Sequence, residues 1–345
     1  MSYSRILVRA ANWVGDAVMS LPALRALRSR HASAQLSVLA MPWVQDLYAR
    51  EPFADEILPY TAPRGVRGIR EKLAVARRLR DRNYDCALLL PNSFDSALVV
   101  WLAGIPERIG YSRDWRRLLL TRAIPPPKKG AIPPHESYYY LELVRRAGWI
   151  EDLPGKVVIQ LDGAAAAAEQ GRCCLEQQGL SGPVIGVSPG AAYGTAKRWP
   201  AERFAAAAAK VAAAQEAAVV LFGSREERAL CEQVRESLEG KVRQVRNFAW
   251  QTSLREFIEM TAASRAFLTN DSGAMHIAAA LGVPTVAVFG ATDHVATGPA
   301  APLARVVREP VDCSPCLLRE CPIDHRCMTR VTAERVAETA LDLLK

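Results

Sequence analysis

The sequence predicts an α/β protein of two doubly wound domains. Chain length, recurring short apolar runs and the helical spacing between those runs together predict it. At 345 residues the chain is too long for one ordinary core and about right for two α/β domains. Apolar runs of strand length recur at 6–8, 36–39, 86–90, 184–187, 218–222, 266–269 and 285–289, and Gly, Pro, Asn or Asp bound them. Continuous apolar strands are buried on both faces, which is the mark of parallel sheets. Between them lie helical patterns at i, i+3, i+4, such as Val18, Leu21, Leu24 and Leu27, or Leu254, Phe257, Ile258 and Thr261. Strand and helix alternating over the whole chain give doubly wound layers.

In chain order, the first run leads through Asn12-Trp13-Val14-Gly15-Asp16-Ala17 into a helix. Pro22 is expected early in that helix, where a proline is least harmful. The first series ends at Pro125-Pro126-Pro127-Lys128-Lys129-Gly130 and Pro133-Pro134, a stiff polar connection. A helix over 135–147 follows, then a stretch with Gly and Pro around 152–155. A second α/β series opens near Val184. The boundary falls within 155–180 and is drawn here as domains 1–165 and 166–345. The Ala-rich segments 164–168 and 205–214 are strong helix formers and need no special explanation. Beyond a general similarity of the two halves there is no internal repeat.

Half of the residues are hydrophobic and mean hydropathy is close to zero, so a globular interior is expected. No stretch reaches the roughly 18 uninterrupted apolar residues of a membrane span. The first residues form a strand and lack the features of a signal peptide, so a cytoplasmic protein is expected. The net charge of +8 is unevenly placed: residues 1–150 hold 23 Lys and Arg against 13 Asp and Glu, and the remainder 21 against 23. A basic half joined to a near-neutral half suggests an anionic partner for the first: nucleic acid, a membrane surface or a phosphorylated glycolipid. A solvated Arg-rich surface is the plainer reading.

Candidate chemistry lies in the loops where strands give way to helices, since ligands of open α/β sheets sit at the strands' carboxyl ends. The first loop is not G-x-G-x-x-G, which argues against a dinucleotide there. Gly15 permits a close turn. Asp16 has two readings of equal weight, a carboxylate facing a ligand or the helix N-cap, a position that Asp fills well. In the second half, 184–187 ends in Ser188-Pro189-Gly190-Ala191-Ala192-Tyr193-Gly194-Thr195-Ala196-Lys197-Arg198-Trp199-Pro200. Small residues there (Ser188, Gly190 and Thr195 among them) with Lys197 and Arg198 suit a diphosphate, on which backbone N–H groups and a cation converge. A solvated basic loop is the alternative. The loop is not a Walker motif, so ATP hydrolysis gains no support. Further on, 266–269 leads to Asn270-Asp271-Ser272-Gly273-Ala274-Met275-His276 and at once to a helix. The N–H groups of this turn and the Ser272 hydroxyl can hold phosphate oxygens. Asp271 can accept hydrogen bonds from sugar hydroxyls or from Lys197, and a lone His276 is ordinarily structural. The run 285–289 gives a third loop, Gly290-Ala291-Thr292-Asp293-His294, on the same edge. Three loops on one sheet edge are a stronger signal than any one of them.

At this point the chain resembles a known family. The segment from Val8 to Leu24, with Asn12-Trp13-Val14-Gly15-Asp16 at its centre, resembles the opening of the bacterial ADP-heptose:lipopolysaccharide heptosyltransferases of glycosyltransferase family 9. Gly194-x2-Lys197-Arg198-Trp199-Pro200 and Asn270-Asp271-Ser272-Gly273-x2-His276-x2-Ala279-Ala280-Leu281-Gly282 resemble the family's donor-site motifs. The likeness spans the chain and is nearest to type II, with types I and III or another GT-B nucleotide-sugar transferase as alternatives. It implies the GT-B fold: two Rossmann-like doubly wound α/β domains facing a central cleft, the first for the acceptor and the second for ADP-heptose. It implies inverting transfer onto the first heptose of the inner core, with no metal or other cofactor required. Asp16 matches the family's proposed general base, Lys197 the lysine on the donor's phosphates and sugar, and Asp271 the carboxylate that holds the heptose. Ser272 and Gly273 would add diphosphate contacts, with His276 close behind. Glu226 matches an acidic residue on the ribose, in a register uncertain by one.

The acceptor of this family is the anionic phosphate- and Kdo-bearing core on lipid A, which gives the basic first half a purpose and implies peripheral contact with the cytoplasmic membrane face. Arg64, Arg67, Arg113, Arg116, Arg117, Lys128 and Lys129 are the candidate contacts, with Asn12 and Trp13 beside Asp16. Cys313, Cys316, Cys321 and Cys327 could furnish a closed zinc site, but their spacing fits no common zinc pattern. Reduced thiols packing a loop are the preferred reading, and any zinc would be structural. A basic nucleic-acid-binding protein is the alternative from another class. Its Arg-rich segments would be interleaved with aromatics in a recognisable module, and these are not. A nucleotide-sugar epimerase or dehydrogenase is disfavoured because the glycine fingerprint is missing and no lysine lies four residues after Tyr138, Tyr139 or Tyr140.

Overall fold

The computed structural model describes residues 3–61 and 68–345. The chain divides into two units, Met1–Val157 and Val158–Lys345. The division falls ahead of 165/166 because the connecting segment already bonds to the second unit. Ile159 N donates to Ala300 O and Leu161 N to Ala280 O, both at 2.8 Å.

The first unit runs β1 (Arg5–Arg9), α1 (Val14–Arg30), β2 (Gln35–Ala40), α2 (Gln45–Tyr48), β3 (Glu56–Pro59), α3 (Ile69–Arg80), β4 (Cys86–Leu89), α4 (Phe94–Leu102), β5 (Glu107–Tyr111), β6 (Arg122–Ile124) and α5 (Glu136–Arg146). Its sheet is parallel throughout, in the order β3-β2-β1-β4-β5-β6. From β1 the chain steps outward through β2 and β3, then returns to β4 on the other flank of β1. The order thus reverses between β1 and β4, and at such a switch point the loops at the strands' carboxyl ends part to leave a crevice. Leu7, Leu39, Leu89 and Val99 lie in the core of this unit. Val18, Leu21, Leu24 and Leu27 of α1 are all buried, as their spacing predicts. Pro22, expected early in the helix, lies at its ninth position, in the helix interior. It lacks the amide that would donate to the Val18 carbonyl, and the burial of its neighbours holds the helix through that gap.

The second unit runs α6 (Ala164–Gln177), β7 (Val184–Ser188), α7 (Ala201–Gln215), β8 (Ala218–Leu221), α8 (Arg228–Leu238), β9 (Val245–Asn247), α9 (Leu254–Ala262), β10 (Ala266–Asn270), α10 (Gly273–Ala280), β11 (Thr285–Phe289), α11 (His294–Thr297), β12 (Ala304–Arg308), α12 (Arg326–Thr329) and α13 (Ala333–Asp342). Its parallel sheet has the order β12-β11-β10-β7-β8-β9. The reversal here lies between β7 and β10. One face of the sheet packs Val219, Leu268 and Val288 against Trp199, Phe204, Val211, Met328 and Val336. Phe222, Phe257 and Phe267 form an aromatic cluster of their own, with centroids 5.1–6.3 Å apart. Among the described residues no helix is long and apolar enough to cross a membrane.

Candidate functional site

In the second unit three loops leave the carboxyl ends of β7, β10 and β11, and Asn270 ties the first two together. Its Nδ2 donates to Pro189 O at 2.7 Å and its Oδ1 accepts the Trp199 amide at 3.1 Å. The Trp199 side chain is buried, and its indole N–H donates to Val331 O at 3.1 Å. The loop from Pro189 to Trp199 is therefore pinned at both ends, and Lys197 is held just before the second pin, in a 3-10 turn (Thr195–Lys197). Lys197 Nζ meets Asp271 Oδ2 at 2.6 Å, with side-chain exposures of 14% and 6%. Thr292, from the loop after β11, donates to the same oxygen at 2.6 Å. All three loops thus converge on one carboxylate. The sequence offers Lys197 as one of two partners for Asp271 and marks the loop after β11 as part of the same edge, but nothing in it singles out Thr292 within that loop.

The remaining donor-site candidates lie at or beyond the carboxyl ends of β7, β8 and β10. Ser272 is the N-cap residue of α10, with its hydroxyl 3.2 Å from that of Thr269 and no bond to a helix amide. Gly273 opens the helix, so its amide and its neighbours' have no partner within the helix and face outward. Thr195 is exposed, whereas Ser188 and His276 are buried. Gly190 has a packing reason: a Cβ there would lie 2.1 Å from the Glu227 carboxylate. Glu226 and its neighbour Glu227 differ in what they bond to. Glu227 turns inward, accepting the Ser224 amide at 2.8 Å in a capping box. Glu226 is exposed, and its own backbone N–H and the Ser224 hydroxyl hold its carboxyl below the usual range.

In the first unit the candidate base occupies the third position of α1. Trp13 is the N-cap residue and makes no side-chain cap, so Asp16 is not the helix cap. Its surroundings are acidic and phenolic. Burial first, then the Asp16 charge, pushes the Glu136 carboxyl up, and Arg113 pulls it back. Burial raises the Tyr48 and Tyr140 phenols as well, with Asp16 adding to both. Glu136 carries no sequence signal for this role. The loop ahead of Asp16 is fixed by Arg9, which is buried and pulled down to about 10 by that burial. Its Nη1 donates to Ala10 O and its Nη2 to Asn12 Oδ1, both at 2.7 Å, and its guanidinium lies 4.3 Å from the Tyr60 ring centroid. Trp43 donates its indole N–H to Asn12 O at 2.7 Å, while Trp13 is exposed.

The basic candidates divide. Arg113, Arg117, Lys128 and Lys129 are exposed. Arg64 and Arg67 lie outside the described residues. Arg116, expected among the acceptor contacts, is fully buried and spends its donors inside the protein. Its Nε bonds to Tyr111 O at 2.8 Å, its Nη1 to Ser96 Oγ at 3.0 Å and to Pro91 O, and its Nη2 to Asn92 Oδ1 at 3.4 Å. It is a structural rivet, and Trp115 and Leu118 beside it are 94% and 90% exposed.

Of the four clustered cysteines, Cys313 and Cys316 are exposed, Cys321 is half-buried and Cys327 is buried. Burial, then the charges of Cys313, Cys321 and Cys316, push the Cys327 thiol up to about 11. Among the described residues no group of three or more His, Cys, Asp or Glu side chains is placed to hold a metal ion.

Comparison with known proteins gives concordant matches. The profile of glycosyltransferase family 9 (heptosyltransferase) matches residues 72–326. Lipopolysaccharide heptosyltransferase 2 of Escherichia coli is 35% identical over 309 residues, covering 88% of each chain. Its counterpart from Salmonella typhimurium is 34% identical over 308 residues, again covering 88% of each. The solved structure of the E. coli ADP-heptose LPS heptosyltransferase II superimposes with a TM-score of 0.83 at 34% identity, covering 99% of this chain and 98% of that one.

Proposed function

The chain belongs to glycosyltransferase family 9, and from that premise we propose that it moves L-glycero-D-manno-heptose from ADP-heptose to the first heptose of the lipopolysaccharide inner core, with inversion. Heptose transfer accords with the relatives' names. The observation that carries the donor side is the convergence of three loops on the Lys197–Asp271 pair at the switch point of the second sheet.

The acceptor hydroxyl oxygen attacks the anomeric carbon of the donor while the bond from that carbon to the diphosphate oxygen breaks. Asp16 accepts the hydroxyl proton as the new glycosidic bond forms. Negative charge grows on the departing ADP, and Lys197, the Ser272 hydroxyl and the amides at the start of α10 stabilise it. Fixed donors aimed at developing charge lose no reorganisation energy when the reaction occurs. Asp271 holds the heptose hydroxyls and keeps Lys197 in place before the donor arrives. Glu226, the exposed member of its pair, is assigned to the ribose. No metal is required, because the cation and amides do the work a divalent ion would do. Arg113, Arg117, Lys128 and Lys129 face the anionic core, and Trp115 and Leu118 supply apolar contact with the membrane that carries it.

The test is turnover of ADP-heptose on purified acceptors, followed by ADP release and the mass of the product. Heptosylated Kdo₂–lipid A should gain one heptose, and Kdo₂–lipid A lacking the first heptose should be a poor acceptor. Preference for the latter would assign a type I activity, and no transfer to either would overturn the reading.

A further inference from the structure

Residues 313–327 carry four cysteines that the transfer reaction does not use, yet the segment is bonded into the donor loops at five points. To the loop after β11, Ser314 Oγ donates to Gly290 O at 2.5 Å and Leu317 N to Ala291 O at 2.8 Å. To the loop after β7, Tyr193 OH donates to Leu317 O at 2.7 Å and Ala196 N to Arg319 O at 2.9 Å. His325 Nε2 lies 2.9 Å from Ala196 O. The approach is closest at Gly194, where a Cβ would lie 2.2 Å from Arg319 O, so a side chain there would lift the segment off.

Seated in this way, the segment brings a second cation to the donor loops. Lys197 Nζ is 4.9 Å from the centroid of the Tyr193 ring, and the Arg319 guanidinium carbon is 5.4 Å from the same centroid. The two positive groups differ in what else they meet. Lys197 is paired with Asp271, which offsets much of its charge, whereas Arg319 is exposed and among the described residues makes no ion pair. An aromatic face holds a cation in place without neutralising it. Two positive groups are thus held at one ring, one paired and one available, which suits a ligand carrying more than one negative charge.

We propose that Arg319 is a donor-binding residue, a second cation for the diphosphate held at Lys197, oriented by Tyr193 and carried into place by the cysteine segment. The proposal rests on the assignment of the second unit to the nucleotide sugar. It also gives the segment a function that needs no metal.

The test titrates ADP and adenosine into the wild-type protein and into Arg319→Ala, Arg319→Lys and Tyr193→Leu at low and moderate salt. Arg319→Ala should weaken ADP on the order of tenfold and flatten the salt dependence, because a charge-assisted contact is lost. Adenosine affinity should not change, since the nucleoside carries no phosphate. Arg319→Lys should recover part of the loss, and Tyr193→Leu should show part of it. If the wild-type protein fails to bind ADP, the donor assignment itself falls. If it binds ADP and Arg319→Ala matches it in affinity and salt slope, Arg319 is solvated charge and the proposal is overturned. An equal loss for ADP and adenosine also overturns it, because Arg319 would then act on the loop's shape rather than on the diphosphate.

Discussion

Asp16 at the third position of α1, rather than at the cap, sharpens what a conservative change can test. A carboxylate in the first helical turn gains about 0.3–1 kcal/mol from the helix dipole. Asp16→Asn forfeits that amount and keeps the side chain's shape, so the melting temperature should move by no more than a few degrees. Turnover on the heptosylated acceptor should fall by about 10²-fold or more, the size of a positioned general base's contribution. ADP affinity should hold. Near-normal turnover would remove Asp16 from the mechanism, and a large drop in melting temperature would instead mark it as structural. Residues differ in how much the sequence says of them. Lys197 and Asp271 are legible as partners because each lies in a polar loop at a strand's end, where a charged side chain has few other reasons to be. Arg116 is not, because an arginine in an arginine-rich stretch gives no hint that carbonyls of Tyr111 and Pro91 will take its donors in the core.

The turn between β5 and β6 has a structural oddity that argues for a partner. Asp114 and Trp115 both adopt left-handed backbone, with φ of 51° and 60°, a conformation that costs a non-glycine residue roughly 1–3 kcal/mol. Arg116 anchors the turn from below, while Trp115 and Leu118 stand in water. Burying a side chain of the size of Leu is worth about 1.5–3 kcal/mol, so the turn forgoes stability at two adjacent places. Arg113 and Arg117 flank it, and an amphipathic ring beside cations suits the interface of an anionic bilayer. Trp115→Ser combined with Leu118→Ser should abolish co-sedimentation with phosphatidylglycerol-containing vesicles, and turnover on a deacylated, water-soluble acceptor should persist. Unchanged co-sedimentation would sink this assignment. Elements too are unevenly legible. The central strands β1, β7, β10 and β11 read as apolar runs because helices cover both of their faces. The edge strands β3, β6, β9 and β12, and β5 next to one edge, do not, since Glu56, Glu107, Arg108, Arg122, Arg246 and Arg305 interrupt them. Edge strands tolerate such charges, and profit from them, because one flank lacks a partner.

For the whole molecule the nucleotide is the discriminating ligand. The relatives include an ADP-heptose enzyme, so ADP should stabilise the protein and UDP far less. At 100 times Kd a ligand contributes about 2.7 kcal/mol. That corresponds to a melting shift of roughly 5–10 °C for a unit of this size. Equal shifts with UDP would reassign the chain to another nucleotide-sugar transferase. The strand order bears on more than ligand placement. Each sheet has its own switch point, its own loops and its own core, so a change that loosens one set of loops is felt in the stability of that unit. On the proposed assignment, substitutions in the loops after β1 and β4 would alter the choice of acceptor while the loops after β7, β10 and β11 kept the same activated sugar. A lineage built this way would diversify its products one half at a time.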